Sequence, residues 1–142
     1  MIPIDVTLLL YAHDQGSPHH RAASAWLASK MSGAETIRLA WVGILAFLRI
    51  STSRRIVGDP FPLHESIAIV SKWLSSAHAG ILNPGRQHWQ ILSDLLPRAQ
   101  ARGNLAMDAH LAALAIEHGA TLYSNDRDFA RFPGLKVEFP LQ

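Results

Sequence analysis

At 142 residues the chain has the length of one domain, assigned here to residues 1–142. With 49% hydrophobic and 17% charged residues it is no disordered polymer. It has no cysteine, which removes disulfide scaffolds, thiol nucleophiles and cysteine-ligated metal centres and suits a reducing cytoplasm. Thirteen Lys and Arg against eleven Asp and Glu leave a formal charge of +2, which permits a nucleic-acid partner without requiring one.

Residues 2–5 read as a short extended start, with Asp5 placed to cap a helix over Val6–His13. A loop at 14–18 leads to a second helix, about 18–31, whose apolar stripe is read as Ala22, Ala25, Trp26 and Leu27 or Ala28. Residues 36–40 form a brief strand. A helix over 41–54 follows, with Trp41, Ile44, Leu45 and Leu48 inward. Gly58-Asp59-Pro60-Phe61-Pro62 is the clearest loop, before a helix at about 63–78 with Ile67, Ile69, Val70 and Leu74 as core candidates.

Ile81-Leu82 reads as a strand and 86–102 as a helix kinked or divided by Pro97. Gly103-Asn104 opens a helix over 105–118 that Gly119 ends. Residues 120–124 read as a strand, 126–132 as a short helix and 137–139 as a last strand. The longest apolar run, Leu39 to Leu48, is half of the roughly 20 residues a membrane span needs, and the acid at position 5 argues against a secretory leader. Alternating strands and helices predict an α/β domain with a mainly parallel sheet. In such domains the functional crevice lies beyond the carboxyl ends of the strands.

That rule gives the acids a meaning. Asp5, Asp126 and Asp128 follow strands, and Asp108 lies in the first turns of a helix, so all four can project to one edge of the sheet. Capping and the helix dipole account for Asp5, Asp126 and Asp128 taken singly. Asp108, inside Leu105-Ala106-Met107-Asp108-Ala109-His110-Leu111-Ala112, is harder to place, since a buried carboxylate wants a cation or several donors. Two carboxylates about 5 Å apart repel by roughly 3 kcal/mol at an effective dielectric near 20. A convergent set therefore calls for a hard cation, Mg²⁺ or Mn²⁺, and points to metal-dependent phosphodiester hydrolysis.

Other motifs are incomplete. His64-Glu65 lacks the second histidine of a zinc protease, since position 68 is Ala, and Asp126-Arg127-Asp128 lacks the rest of a calcium loop. His19-His20 reads as solvated surface, His110 as a packing or hydrogen-bonding residue, and the four Trp as core or interface.

On these residues the chain resembles the PIN-domain ribonucleases, in particular the VapC-like toxins of toxin–antitoxin pairs. The likeness is most specific where Asp108-Ala109-His110-Leu111-Ala112 leads through Glu117-His118-Gly119-Ala120-Thr121-Leu122 to Ser124-Asn125-Asp126-Arg127-Asp128-Phe129. Ile4-Asp5-Val6-Thr7-Leu8 and Phe47-Leu48-Arg49-Ile50 also fit. The resemblance implies a three-layer α/β/α sandwich, often a homodimer, with a Mg²⁺- or Mn²⁺-dependent endoribonuclease site. It further implies Asp5, Asp108 and Asp126 as metal-binding acids, Asp128 as a fourth candidate and Thr7 as a residue orienting water or phosphate. The implied partners are RNA, with tRNA or rRNA as targets, and a cognate antitoxin inserted over the active-site groove.

One position departs from the pattern: many PIN nucleases carry Glu where this chain has Ala46. The departure keeps open a catalytically weak or inactive PIN-like module that binds RNA or protein. A hydrolase of small phosphoesters is a further rival. On the nuclease reading the acids hold the cation, and Arg49 and Arg127, with Arg54 or Arg55, meet backbone phosphates.

Overall fold

The computed structural model describes residues 1–54 and 59–142. Among these, the elements in chain order are β1 (Ile2–Pro3), α1 (Val6–His13), α2 (His20–Met31), β2 (Ile37–Leu39), α3 (Trp41–Ser51) and α4 (Leu63–Ser75). There follow β3 (Ala79–Ile81), α5 (His88–Arg98), α6 (Leu105–Glu117), β4 (Thr121–Tyr123), a 3-10 helix (Arg127–Arg131) and β5 (Lys136–Glu138).

All pairings are parallel. Ile2 lies opposite Ile37, Leu39 opposite Ile81, and Leu122 opposite Val137. A bridge between Ile4 and Tyr123, reinforced by the Asp5 N–H donating to the Tyr123 carbonyl at 2.9 Å, joins the two ladders in the order β3-β2-β1-β4-β5. The strand-to-helix order leaves parallel strands no other connection than crossovers, so helices cover both faces.

Two apolar cores result. On one face Ile2, Ile4, Ile37 and Leu39 pack on side chains from α1, α3 and α4, among them Leu8, Leu9, Phe47 and Trp73. On the other, Leu122 and Val137 meet α5, α6 and the 3-10 helix through Leu95, Leu114, Phe129 and Phe132. This is the expected α/β/α sandwich. Residues 109 and 111–115 of α6 are all buried, which explains that helix's run of alanines: small side chains let it sit closely between β4 and α5. Gly119 ends it at φ +63°, where a Cβ would be strained.

Several faces differ from the sequence reading. In α2 the buried position is Ala23, with Trp26 and Leu27 half-buried, while Ala22 and Ala25 are exposed. In α3, Ile44 and Phe47 are buried, but Trp41 is 52% and Leu45 61% exposed. In α4 the core residues are Ser66, Val70 and Trp73, whereas Ile67 and Leu74 face outward and Ile69 is half-buried. These helices are apolar around much of their circumference, so periodicity does not fix which stripe turns inward. Pro97 sits in the last turn of α5 and closes the helix, which ends one residue later. Gly58 of the loop before α4 lies outside the described residues.

Among the described residues no helix is long and apolar enough to cross a membrane. Phe47 is fully buried, its ring 4.8 Å from that of Trp73 and 5.9 Å from that of His13. Phe47→Ala is expected to lower unfolding stability by about 3–5 kcal/mol, read from the midpoint of urea denaturation.

Candidate active site

The carboxyl ends of β1 and β4 meet at Asp5. Only 6% exposed, Asp5 holds the position that precedes α1 without capping it through its side chain. Instead its Oδ2 accepts two hydroxyl hydrogen bonds, from Thr7 Oγ1 at 2.8 Å and from Ser124 Oγ at 2.8 Å. Each hydroxyl also accepts a backbone N–H from the turn after β4. Asn125 N–H reaches Thr7 Oγ1 at 3.0 Å and Asp126 N–H reaches Ser124 Oγ at 2.9 Å. Burial pushes the Asp5 carboxyl above its ordinary pKa, opposed by the Ser124 and Thr7 hydroxyls. Asp126 caps the 3-10 helix by accepting the Asp128 N–H at 2.9 Å.

Asp108 stands in the first turn of α6. With Asp5 it lines a cleft of about 520 Å³ between α3 and α6, whose walls also include Arg49, Ala46 and Asn104. Its pKa is raised from 3.8 to about 6, first by burial and then by the negative charges of Asp5, Asp126 and Asp128, with Arg131 pulling the other way. A larger cleft, about 690 Å³, lies around His13, Asp14 and Glu65 at the far end of α1. Asp5 and Asp108 line the smaller one.

The four acids thus occupy one neighbourhood, with Asp5 and Asp108 on a common wall. Among the described residues no three His, Cys, Asp or Glu side chains stand as ready ligands of one metal ion. Mutual repulsion opposes closure of such a group without a cation between its members. The donor chemistry fits a hard divalent ion: every acid offered is a carboxylate, and Asp108 is already driven toward protonation by burial and then by its acidic neighbours.

Thr7, expected to orient water or phosphate, has its hydroxyl committed to Asp5 and the Asn125 N–H. Arg49 reaches the cleft. Arg127 is held by Gln142 Oε1, which accepts from its Nε, and by the Phe139 ring, 4.5 Å from its guanidinium carbon. Arg54 is exposed beyond α3, and Arg55 lies outside the described residues. His110 pairs with His88, Nδ1 to Nε2 at 2.8 Å. His20 is half-buried, its Nδ1 bonded to the Tyr11 carbonyl, rather than the solvated residue read from sequence. Sequence reasoning missed Ser124; its signal was a small polar residue at the end of a strand, two before Asp126.

Comparison with known proteins decides the family. The PIN-domain profile matches residues 2–135. Ribonuclease VapC37 of Mycobacterium tuberculosis is 40% identical over 137 residues, covering 96% of this chain and 95% of that protein. Ribonuclease VapC33 of the same species is 41% identical over 142 residues, covering 100% and 99%. The chain belongs to the PIN-domain family of VapC ribonucleases. Among solved PIN structures, M. tuberculosis VapC20, described as a sarcin–ricin-loop-cleaving toxin, matches with a TM-score of 0.70 at 16% identity, over 96% of this chain and 99% of that one. VapBC2 from Rickettsia felis, bound to promoter DNA, matches at 0.68 and 20% identity, over 97% and 98%. In this family setting Ala46 is a gap in the acidic wall, since its side chain lines the Asp5–Asp108 cleft where many PIN nucleases carry Glu.

The raised Asp108 pKa has a stability consequence whose sign is fixed. Between pH 3.8 and about 6 the folded protein keeps a proton that the unfolded chain has released. The stability this group contributes is full below the unfolded value and is lost as pH rises through the folded one. In metal-free protein, the melting temperature of wild type minus that of Asp108→Asn should therefore fall between pH 4 and about 6, as followed by circular dichroism.

Proposed function

We propose that this PIN-domain protein is a Mg²⁺- or Mn²⁺-dependent endoribonuclease, the toxin of a toxin–antitoxin pair. On this reading it acts in the cytoplasm as a homodimer and is silenced by a cognate antitoxin. The observation that carries the reading is the shared cleft of Asp5 and Asp108, with the Asp108 pKa raised first by burial and then by the charges of Asp5, Asp126 and Asp128. The names of VapC37 and VapC33 as ribonucleases support RNA as substrate, and the VapBC complexes among the structural neighbours support an antitoxin partner.

Asp5, Asp108 and Asp126 would hold the cation, with Asp128 as a fourth candidate. When bound, such an ion lowers the pKa of water and neutralises charge on a phosphodiester. The chain's own residues do the positioning. Ser124 and Thr7 fix the Asp5 carboxylate by hydrogen bonds to one of its oxygens, so its orientation is set before any ligand arrives. Arg49 meets a backbone phosphate at the cleft wall. Arg131, the cation that offsets the acids at Asp108, tempers their repulsion of an incoming polyanion.

Ala46 on the same wall favours a second reading, a module that binds RNA without cutting it. One assay separates the two. Purified protein with Mg²⁺ or Mn²⁺ should cleave RNA, and Asp5→Asn or Asp108→Asn should each lower the rate at least about 100-fold. Cleavage that survives both substitutions, or that persists in EDTA, rejects the assigned site. RNA binding without cleavage at any metal concentration selects the second reading. Binding should also weaken steeply with added salt, as phosphate contacts require and small-phosphoester turnover does not.

A further inference from the structure

The turn that carries Asp126 is held from two sides. Within the fold, Thr7 Oγ1 accepts the Asn125 N–H at 3.0 Å and Ser124 Oγ accepts the Asp126 N–H at 2.9 Å. From the solvent side the turn is met by Gln142. Phe139-Pro140-Leu141-Gln142 forms a β-turn, closed by the Gln142 N–H donating to the Phe139 carbonyl at 3.2 Å. Pro140 takes the second position, where its fixed φ suits such a turn. Half-buried Leu141 seats it on the apolar core that α1, α3 and α4 cover.

The Gln142 amide is thereby brought to both neighbours of Asp126. Its Nε2 donates to the Asn125 carbonyl at 3.3 Å and to Asn125 Oδ1 at 3.1 Å, and its Oε1 accepts from Arg127 Nε. A primary amide has two N–H donors and a carbonyl acceptor, and all of them are used here. The Asn125 carbonyl and the Asp126 N–H are the two poles of one planar peptide group. Gln142 and Ser124 therefore pin that group at opposite ends. On the other side of Asp126, the Arg127 guanidinium is also laid on the Phe139 ring, 4.5 Å from its centre. These bonds have a force to resist. Asp126 adds to the negative charge felt by Asp108, and like charges push the turn away from α6 when no cation lies between them.

Resting on the nuclease reading above, in which Asp126 helps to hold the cation, we infer that Gln142 is a positioning residue for Asp126. Its amide locks residues 125 and 127 from outside and so sets the direction of the Asp126 carboxylate before a metal ion arrives. With its donors and acceptor spent on the turn, Gln142 acts through Asp126 rather than on RNA.

The test compares wild type with Gln142→Met, which keeps the side-chain length and removes every hydrogen bond of the amide. In metal-free protein the melting temperature should stay within about 2 °C of wild type, because Gln142 is exposed. Amide hydrogen exchange at Asp126 and Asp128 should quicken about tenfold, while that of Ile37 in β2 stays as in wild type. By calorimetric titration Mn²⁺ should bind about tenfold more weakly. RNA cleavage should return to within about twofold of wild type once Mn²⁺ saturates, which places the defect in metal holding and not in turnover. In an Asp126→Asn background the same substitution should weaken Mn²⁺ binding no further. Gln142→Glu keeps an acceptor for Arg127 but turns a carboxylate on the Asn125 oxygens, and should weaken Mn²⁺ binding as Gln142→Met does.

Unchanged exchange or unchanged Mn²⁺ affinity in Gln142→Met overturns the proposal. An equal loss of affinity with and without Asp126 does so too, because the amide then supports the fold at large. Tighter Mn²⁺ binding by Gln142→Glu also overturns it, since added charge then governs and position does not. These failures leave wild-type cleavage intact. Wild type that binds no Mn²⁺ and cleaves no RNA is instead the failure of the nuclease reading, and the role of Gln142 falls with it.

Discussion

The arrangement depends on a buried carboxylate. Asp5 sits almost wholly out of water, where a lone charge is untenable, and two hydroxyls make the position tolerable. Thr7 comes from the helix that Asp5 precedes, and Ser124 from the end of a strand distant in sequence. Because each hydroxyl also takes an N–H from the turn after β4, solvating Asp5 and shaping the turn that carries Asp126 are one event. The junction of the two ladders lies directly beneath, at the Ile4–Tyr123 bridge. The centre of the fold and the centre of the chemistry therefore share the same bonds.

Around this junction the two cores have different textures. The face covered by α1, α3 and α4 is built of large side chains, with Phe47, Trp73 and His13 meeting edge to face. On the other face α6 contributes the buried alanines 109, 112, 113 and 115, which let its backbone come close, beside larger side chains such as Leu95, Leu114, Phe129 and Phe132. That closeness fixes where Asp108 emerges, directly before the first buried residue, Ala109. The lever that brings Asp108 to the cleft is thus a helix with little freedom to shift.

Much of this was legible in the sequence. Strand–helix alternation gave the sandwich, and acids at strand ends pointed to one edge of the sheet, since both rest on local order and on a general property of parallel sheets. The inner faces of α2, α3 and α4 were not legible. Leu45 and Ile67 are as apolar as the residues that do turn inward, so only tertiary packing distinguishes them. Pairings between remote polar groups were hidden for the same reason. Nothing local announces that Ser124 bonds to Asp5, that His88 meets His110, or that Thr7 spends its hydroxyl on a neighbour.

The Ser124–Asp5 hydrogen bond spans 119 positions. Both partners stand at the ends of central strands, and the strand bearing Ser124 is the penultimate one to be synthesised. A nascent chain on the ribosome can form β1, β2 and β3 with Thr7 beside Asp5 and still lack the second hydroxyl, that of Ser124. The acidic centre is assembled only once translation has delivered β4 and its turn, so unfinished polypeptides carry the first acid with only part of the machinery around it.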